Sequence, residues 1–268
     1  MKKLDDIVRT HTSSGFTLIQ ARNKAAQEVI LSKIEKSEYV DKILLKGGIV
    51  MYNMTQERRR TTSDLDFDFI RLDISKKQII NKFIQALNRI EPQFQIELKS
   101  VKPLKQDDYK GCELKLVIND NAGSRPIDFT MDIGVHTLTG IEQNKMCFSF
   151  GETKQLSLWV NPPEQMFAEK LYSLAKIGPT STRYKDINDM YYLIKHTNMK
   201  ISLVRECLSL MIIGNKRDFI DVIDIVDKAI ESLDSDLFAY GFNEAKSLWL
   251  DIGYQELIET VKDYIYKI

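Results

Sequence analysis

The sequence predicts a mixed α/β unit followed by an all-helical unit. Two observations carry that reading. Up to about residue 155 helical and strand-like patterns alternate, whereas beyond Pro162-Pro163 almost only helical periodicity remains. The chain of 268 residues is also long for one compact unit and short for three. The expected division is 1–155 for a mixed sheet with helices packed mainly on one side, and 156–268 for the helical unit.

The elements follow from local pattern. Lys24 to Lys36 has helical spacing, and Ile43–Leu45 is a short apolar strand closed by Gly47-Gly48. Ile49–Gln56 reads as a helix, Asp64–Ile70 alternates polar with apolar, and Lys76–Ile90 is helical again. Cys112–Ile118 and Ile127–Val135 alternate as strands. In the second half, Gly178-Pro179, Gly214-Asn215, Tyr240-Gly241 and Gly253 are the expected helix breaks.

Composition narrows the chemistry. Lysine plus arginine and aspartate plus glutamate stand at 38 each, so bulk charge draws the chain neither to nucleic acid nor to anionic membrane. No uncharged apolar run reaches the ~20 residues that a membrane helix needs, and the start MKKLDDIVRT lacks the apolar region of a signal peptide. A cytoplasmic protein with no membrane partner is expected. Cys112, Cys147 and Cys207 are widely spaced, without a C-x-x-C pair, and the only histidines are His11, His136 and His196. Disulfide scaffolds and structural zinc drop out, which leaves carboxylates, hydroxyls and lysine to carry any reaction.

The first constellation is Lys46-Gly47-Gly48, followed after fifteen residues by Asp64-Leu65-Asp66. Glycines at a strand end allow a sharp turn and close approach of a ligand, and the N-terminus of the next helix suits a phosphate. An ordinary strand-to-helix turn uses the same residues. In Asp64–Phe69 the period of two puts Asp64, Asp66 and Asp68 on one face, and Leu65, Phe67 and Phe69 on the other. Such carboxylates either share divalent ions or form a solvated strand face. Arg125–Ile133 alternates likewise, with Asp128, Thr130 and Asp132 together. If this strand lies beside the first it supplies a third carboxylate, Asp132 or Asp128, as ligand or base.

These residues resemble the AbiEii/AbiGii-type nucleotidyltransferases, a toxin-like family of the DNA-polymerase-β-like superfamily. The match reads first through Leu45-Lys46-Gly47-Gly48 and Arg60-x-Thr62-x-Asp64-Leu65-Asp66-Phe67. Glu164–Leu171 and Arg183–Asp189, with Lys170 and the Lys185-Asp186-x-x-Asp189 element, are similar to the family's later motifs. The glycine pair is Gly-Gly rather than Gly-Ser, so no serine hydroxyl stands there for a phosphate. On the residues alone, Lys170 at the edge of an apolar stripe also fits an ordinary snorkelling lysine. Asp186 interrupts an apolar arc and needs a partner if buried, with an ion pair to Arg183 or a helix first-turn charge as the mundane readings.

The resemblance implies a nucleotidyltransferase domain whose cleft is completed by the helical domain. It implies catalytic Asp64, Asp66, Asp132, Lys170 and Asp186, with Mg²⁺ or Mn²⁺ on Asp64, Asp66 and Asp132. Lys46, Gly47, Gly48, Thr62, Ser63, Lys170, Arg183 and Asp189 would bind an NTP substrate. The acceptor it implies is the 3′ end of tRNA, with an antitoxin as possible partner; Arg58-Arg59-Arg60 is a local basic cluster for an RNA backbone. Two other functions share the motifs: an antibiotic-modifying nucleotidyltransferase, and a non-catalytic module that binds nucleotide or partner.

Overall fold

A computed structural model describes residues 3–55, 62–70, 77–104, 111–138, 140–150, 154–214, 218–245 and 248–268. The basic triplet Arg58–Arg60 and the end of the Ile49–Gln56 helix lie outside the described residues. The chain forms two compact units, Met1–His136 with Gln143–Val160, and Thr137–Glu142 with Asn161–Ile268. Among the described residues no helix is long and apolar enough to cross a membrane.

The first unit opens with helices α1 (Leu4–Ser13) and α2 (Leu18–Glu35). Thr17 caps α2: its hydroxyl accepts from the Gln20 N–H while the Gln20 side chain accepts from the Thr17 N–H. From Lys24 to Ile34 every residue of α2 is buried, so the helix has no polar stripe to betray its orientation. Helix α1, which the sequence reading had not anticipated, packs along it. Strand β1 (Ile43–Lys46) then runs straight into helix α3 (Gly47–Thr55), followed by strand β2 (Leu65–Phe69) and helix α4 (Lys77–Arg89). The anticipated glycine turn is thus itself the first turn of α3.

Five more strands complete the unit: β3 (Phe94–Pro103), β4 (Cys112–Asp120), β5 (Ile127–Val135), β6 (Asn144–Phe150) and β7 (Lys154–Val160). Strands β3, β6 and β7 had no counterpart in the sequence reading, and β7 runs through the expected 155/156 division. The sheet order is β3-β4-β5-β2-β1-β7-β6. The pairs β2/β5 and β1/β7 are parallel and the others antiparallel, so the sheet is mixed. Leu65, Phe67 and Phe69 are fully buried on one face. Phe83 of α4 meets Phe67 and Phe69 edge-on, with ring centroids 5.8 and 5.2 Å apart. The fully buried Lys33 of α2 ends α4 from the side. Its ammonium donates to the carbonyls of Leu87 and Glu91, each at 3.1 Å, and to that of Ile90.

Within the described residues the second unit is helical: α5 (Pro163–Ile177), α6 (Tyr184–His196), α7 (Ile201–Gly214), α8 (Val222–Leu233), α9 (Asp236–Asn243) and α10 (Tyr254–Ile265). Pro163 pre-sets the first turn of α5, and Gly178, at φ +75°, ends it in a conformation that a side chain resists. Phe167, Leu171, Met190, Leu193, Val204, Ile225, Phe238 and Val261 make the core. The expected break at Tyr240-Gly241 is absent, because both residues lie inside α9. That glycine serves contact instead: a Cβ on Gly241 would sit 2.0 Å from the Tyr184 hydroxyl oxygen.

Candidate active site

In the first unit, register gathers charged residues into one row. Lys46 of β1 stands opposite Asp66 of β2, Asp66 beside Asp132 of β5, and Asp132 opposite Glu113 of β4. Directly opposed residues on neighbouring strands have Cβ atoms about 4.5–5.5 Å apart and share a face. This register separates Asp132 from Asp128. The former flanks the Asp-x-Asp strand, whereas Asp128 is exposed and pairs with Val117 of β4 instead.

The row is electrostatically strained. Burial, then Asp64, push the Asp66 carboxyl up to about 7, with Lys46 opposing and Asp132 and Asp68 adding to the rise. The Asp132 carboxyl is raised as well, by burial first, then by Asp64 and Glu113, against Lys46. Asp132 Oδ1 is buried and accepts no hydrogen bond among the described residues. Such an atom normally has a partner. Asp68 shares the face, but it is buried and paired, its Oδ1 2.8 Å from Lys46 Nζ. It is therefore no solvated control for its neighbours.

Backbone details hold the row in place. Gly47 has φ +66°, and a Cβ there would lie 2.4 Å from Asp66 Oδ2. Only glycine combines that conformation with that proximity. Gly48 follows it within α3, and Ser63 is exposed. Thr62 Oγ1 donates to Asp64 Oδ1. From α2, the buried Gln27 donates its Nε2 to the carbonyl oxygens of Asp64 (2.9 Å) and Thr62 (3.3 Å). Gln27 escaped the sequence reading. The sequence carried no signal for it, since α2 has many other polar residues, Lys24, Glu28, Ser32 and Lys33 among those buried.

The donor set has the chemistry of a hard divalent cation: carboxylate oxygens only, one of them buried and unsatisfied. Among the described residues, no three His, Cys, Asp or Glu side chains are gathered tightly enough to hold an ion as they stand. Asp64, Asp66 and Asp132 match Mg²⁺ in ligand type alone.

The second unit holds the other predicted residues. Lys170 of α5 places Nζ 2.6 Å from Asp186 Oδ1 and 2.8 Å from Asp189 Oδ2 of α6. Burial opposes the Lys170 charge, but Asp186 and Asp189 outweigh it and raise its pKa. Arg183, the residue before α6, reaches only 3.8 Å from Asp186 Oδ2. Asp189 is fully buried, and Trp249 Nε1 donates to its Oδ1 at 3.0 Å. The neighbouring Asn188 accepts from the Leu250 N–H at 3.1 Å. Neither Trp249 nor Asn188 was legible as part of the cluster, since both contacts span more than fifty residues of chain.

The family model for the nucleotidyl transferase AbiEii toxin of type IV toxin–antitoxin systems matches residues 29–258. The chain belongs to the AbiEii family. The match continues past the motifs read around residues 44–195 and takes in most of the helical unit. Among solved structures this AbiEii chain is similar to JHP933 from Helicobacter pylori, with 13% identity, 90% of this chain and 88% of that one covered, and a TM-score of 0.47. A second H. pylori protein, a candidate nucleotidyltransferase, has 16% identity, 91% and 92% coverage and a TM-score of 0.47. An antigenic nucleotidyltransferase-like protein from Paracoccidioides brasiliensis has 14% identity, 73% and 89% coverage and a TM-score of 0.43. No curated protein matches the chain.

Proposed function

We propose that this AbiEii-family chain transfers a nucleoside monophosphate from an NTP to an acceptor hydroxyl, and that the acceptor is the 3′ end of tRNA. The observation that carries the reading is the pairing of Asp66 with Asp132 on adjacent parallel strands, beside a glycine that leaves Asp66 room. Asp64, Asp66 and Asp132 are the residues to hold Mg²⁺ or Mn²⁺. When bound, the ion neutralises phosphate charge and acidifies the acceptor hydroxyl.

The chain's own groups do the rest. Backbone N–H groups at the start of α3, at Gly47-Gly48, seat the phosphates, and Lys46 adds positive charge at the end of β1. Asp132 takes the proton of the acceptor hydroxyl as that oxygen attacks the α-phosphorus and pyrophosphate leaves. Thr62, through Asp64, and Ser63 complete the nucleotide side in this reading. The family resemblance assigns Lys170, Arg183, Asp186 and Asp189 to the nucleotide. The ion pairs add that Lys170 is held in its charged form. A cognate antitoxin follows from the type IV family description, and a cytoplasmic site of action suits a tRNA acceptor.

The test is incubation of the protein with each labelled NTP, Mg²⁺ and total RNA, followed by separation of RNA from protein. Label is expected in the tRNA fraction with wild type and not with Asp66→Asn. Label confined to small molecules would point to the antibiotic-modifying alternative, and equal labelling by Asp66→Asn would sink the active-site assignment.

A further inference from the structure

The first unit contains a second cation with different surroundings. Lys24 of α2 is 8% exposed, and its Nζ lies 3.7 Å from the centroid of the Tyr52 ring and 5.0 Å from that of Phe16. Among the described residues this ammonium donates no hydrogen bond. Glu28, one turn along α2, engages His11 Nε2 at 3.2 Å. Lys33, two and a half turns along the same helix, shows how a buried ammonium is normally satisfied, with three carbonyls around it. Aromatic faces attract the Lys24 charge without using its three N–H donors.

Lys24 lines a cavity of about 10 Å³ together with Gln20, Gln27, Tyr52 and Thr62. That volume admits one water-sized atom. Among the described residues that line it, the one charged side chain is Lys24. One wall is the segment that presents Asp64: Gln27 donates to the main-chain carbonyl of Asp64, and Thr62 donates to its carboxylate. A ligand oxygen in this cavity therefore sits next to the proposed reaction centre.

We infer that Lys24, backed by Tyr52, seats one phosphate oxygen of a reactant, either of the NTP or of the acceptor RNA backbone. The inference rests on the transferase reading for the identity of the phosphate. It assigns the first-unit side chain that grips it. Burial lowers the Lys24 pKa to about 8, with Glu28 opposing, so the free amine is substantially populated at mildly alkaline pH and a bound phosphate would restore the charge.

The experiment is amine-reactive labelling of the wild-type chain at pH 8, read at Lys24 by mass spectrometry, with inorganic phosphate, an NTP or tRNA added separately. Labelling of Lys24 should fall at least about tenfold with a phosphate-bearing ligand. Protection by NTP alone assigns the seat to the nucleotide, and protection by tRNA alone assigns it to the acceptor. Lys24→Met, which keeps length and apolar bulk, should weaken the protecting ligand about tenfold or more while the apo melting temperature stays close to wild type. Equal labelling with and without every phosphate, as for a cavity that holds only water, would overturn the inference. If that happens while the wild type still transfers label to RNA, the transferase reading stands alone. If Lys24 is protected by inorganic phosphate yet no NTP supports transfer, the reading fails and the seat remains. The labelling arm needs no variant, so misfolding of Lys24→Met would leave it decisive.

Discussion

The molecule carries two groups of acids around a lysine, and they differ in how far their charges are matched. In the second unit Lys170 lies between Asp186 and Asp189, and both Asp189 oxygens have partners, Lys170 on one side and Trp249 on the other. In the first unit Asp66, Asp132 and Glu113 follow one another across three strands. Lys46, the lysine of that row, is already 2.8 Å from Asp68, and Asp132 Oδ1 accepts nothing. The same residue types thus produce a satisfied network in one place and an unsatisfied one in the other. Burying unmatched like charges costs stability, which a folded chain tolerates where something else supplies the missing charge. The second cluster explains how α5 and α6 hold together. The first leaves a buried carboxylate oxygen, Asp132 Oδ1, without a hydrogen bond among the described residues.

The sharpest way to break the comparison is to unbalance the satisfied cluster. Lys170→Met should destabilise the protein by about 3–5 kcal/mol, because it strands the buried Asp189 charge. Chemical denaturation measures this. A loss under about 1 kcal/mol would mean that the cluster is as unbalanced as the acidic row. In the first unit, Gly47→Ala must place a side chain at φ +66° and against Asp66, for about 1–3 kcal/mol of strain. Transfer should fall much further than stability, since the carboxylate that yields is Asp66. Parallel losses would make Gly47 purely structural.

Gln27→Leu removes both donors to the Thr62 and Asp64 carbonyls and should cost about 1–3 kcal/mol. It should also raise the Mg²⁺ concentration needed for half-maximal transfer, measured by titration. An unchanged metal requirement would detach Gln27 from the site. The acidic row also predicts a pH dependence. A carboxyl raised to about 7 binds its proton more tightly in the folded state than in the unfolded one. Its contribution therefore weakens stability as pH climbs from about 4 to about 7 and is constant above that. With chelator present, the melting-temperature advantage of Asp66→Asn over wild type should grow from pH 5 to pH 8. A flat difference would contradict the strained row.

Much of this was legible in the sequence, for reasons particular residues make plain. Strand β2 declared itself because Leu65, Phe67 and Phe69 must be buried while the aspartates between them cannot share that face. Gly47 and the Asp64/Asp66 pair stood out only together and with the family resemblance, since a strand-to-helix turn or a solvated strand face uses the same residues. The order of the sheet was not legible, so the choice of Asp132 over Asp128 waited for the register of β5 against β2. Strands β3, β6 and β7 have mixed patterns; β3 pairs with β4 and β6 with β7, the next strand along, while β7 alone of the three also reaches the distant β1. Gly241 misled because it looks like a helix stop, whereas its lack of a side chain admits Tyr184. Lys24, Gln27 and Trp249 were invisible for one reason: a buried polar side chain acquires meaning only from what folds against it.

The most direct test is the melting temperature of wild type, Asp66→Asn and Asp132→Asn, first with chelator and then with Mg²⁺ and an NTP. Each substitution keeps the shape and removes one negative charge from the acidic row. Both variants should melt above wild type in chelator, because repulsion is relieved, and both should lose the stabilisation that Mg²⁺ with NTP gives the wild type. Variants that melt below wild type in chelator, yet are stabilised as strongly as wild type by Mg²⁺ and NTP, would show that these carboxylates are ordinary structural groups and that the site lies elsewhere.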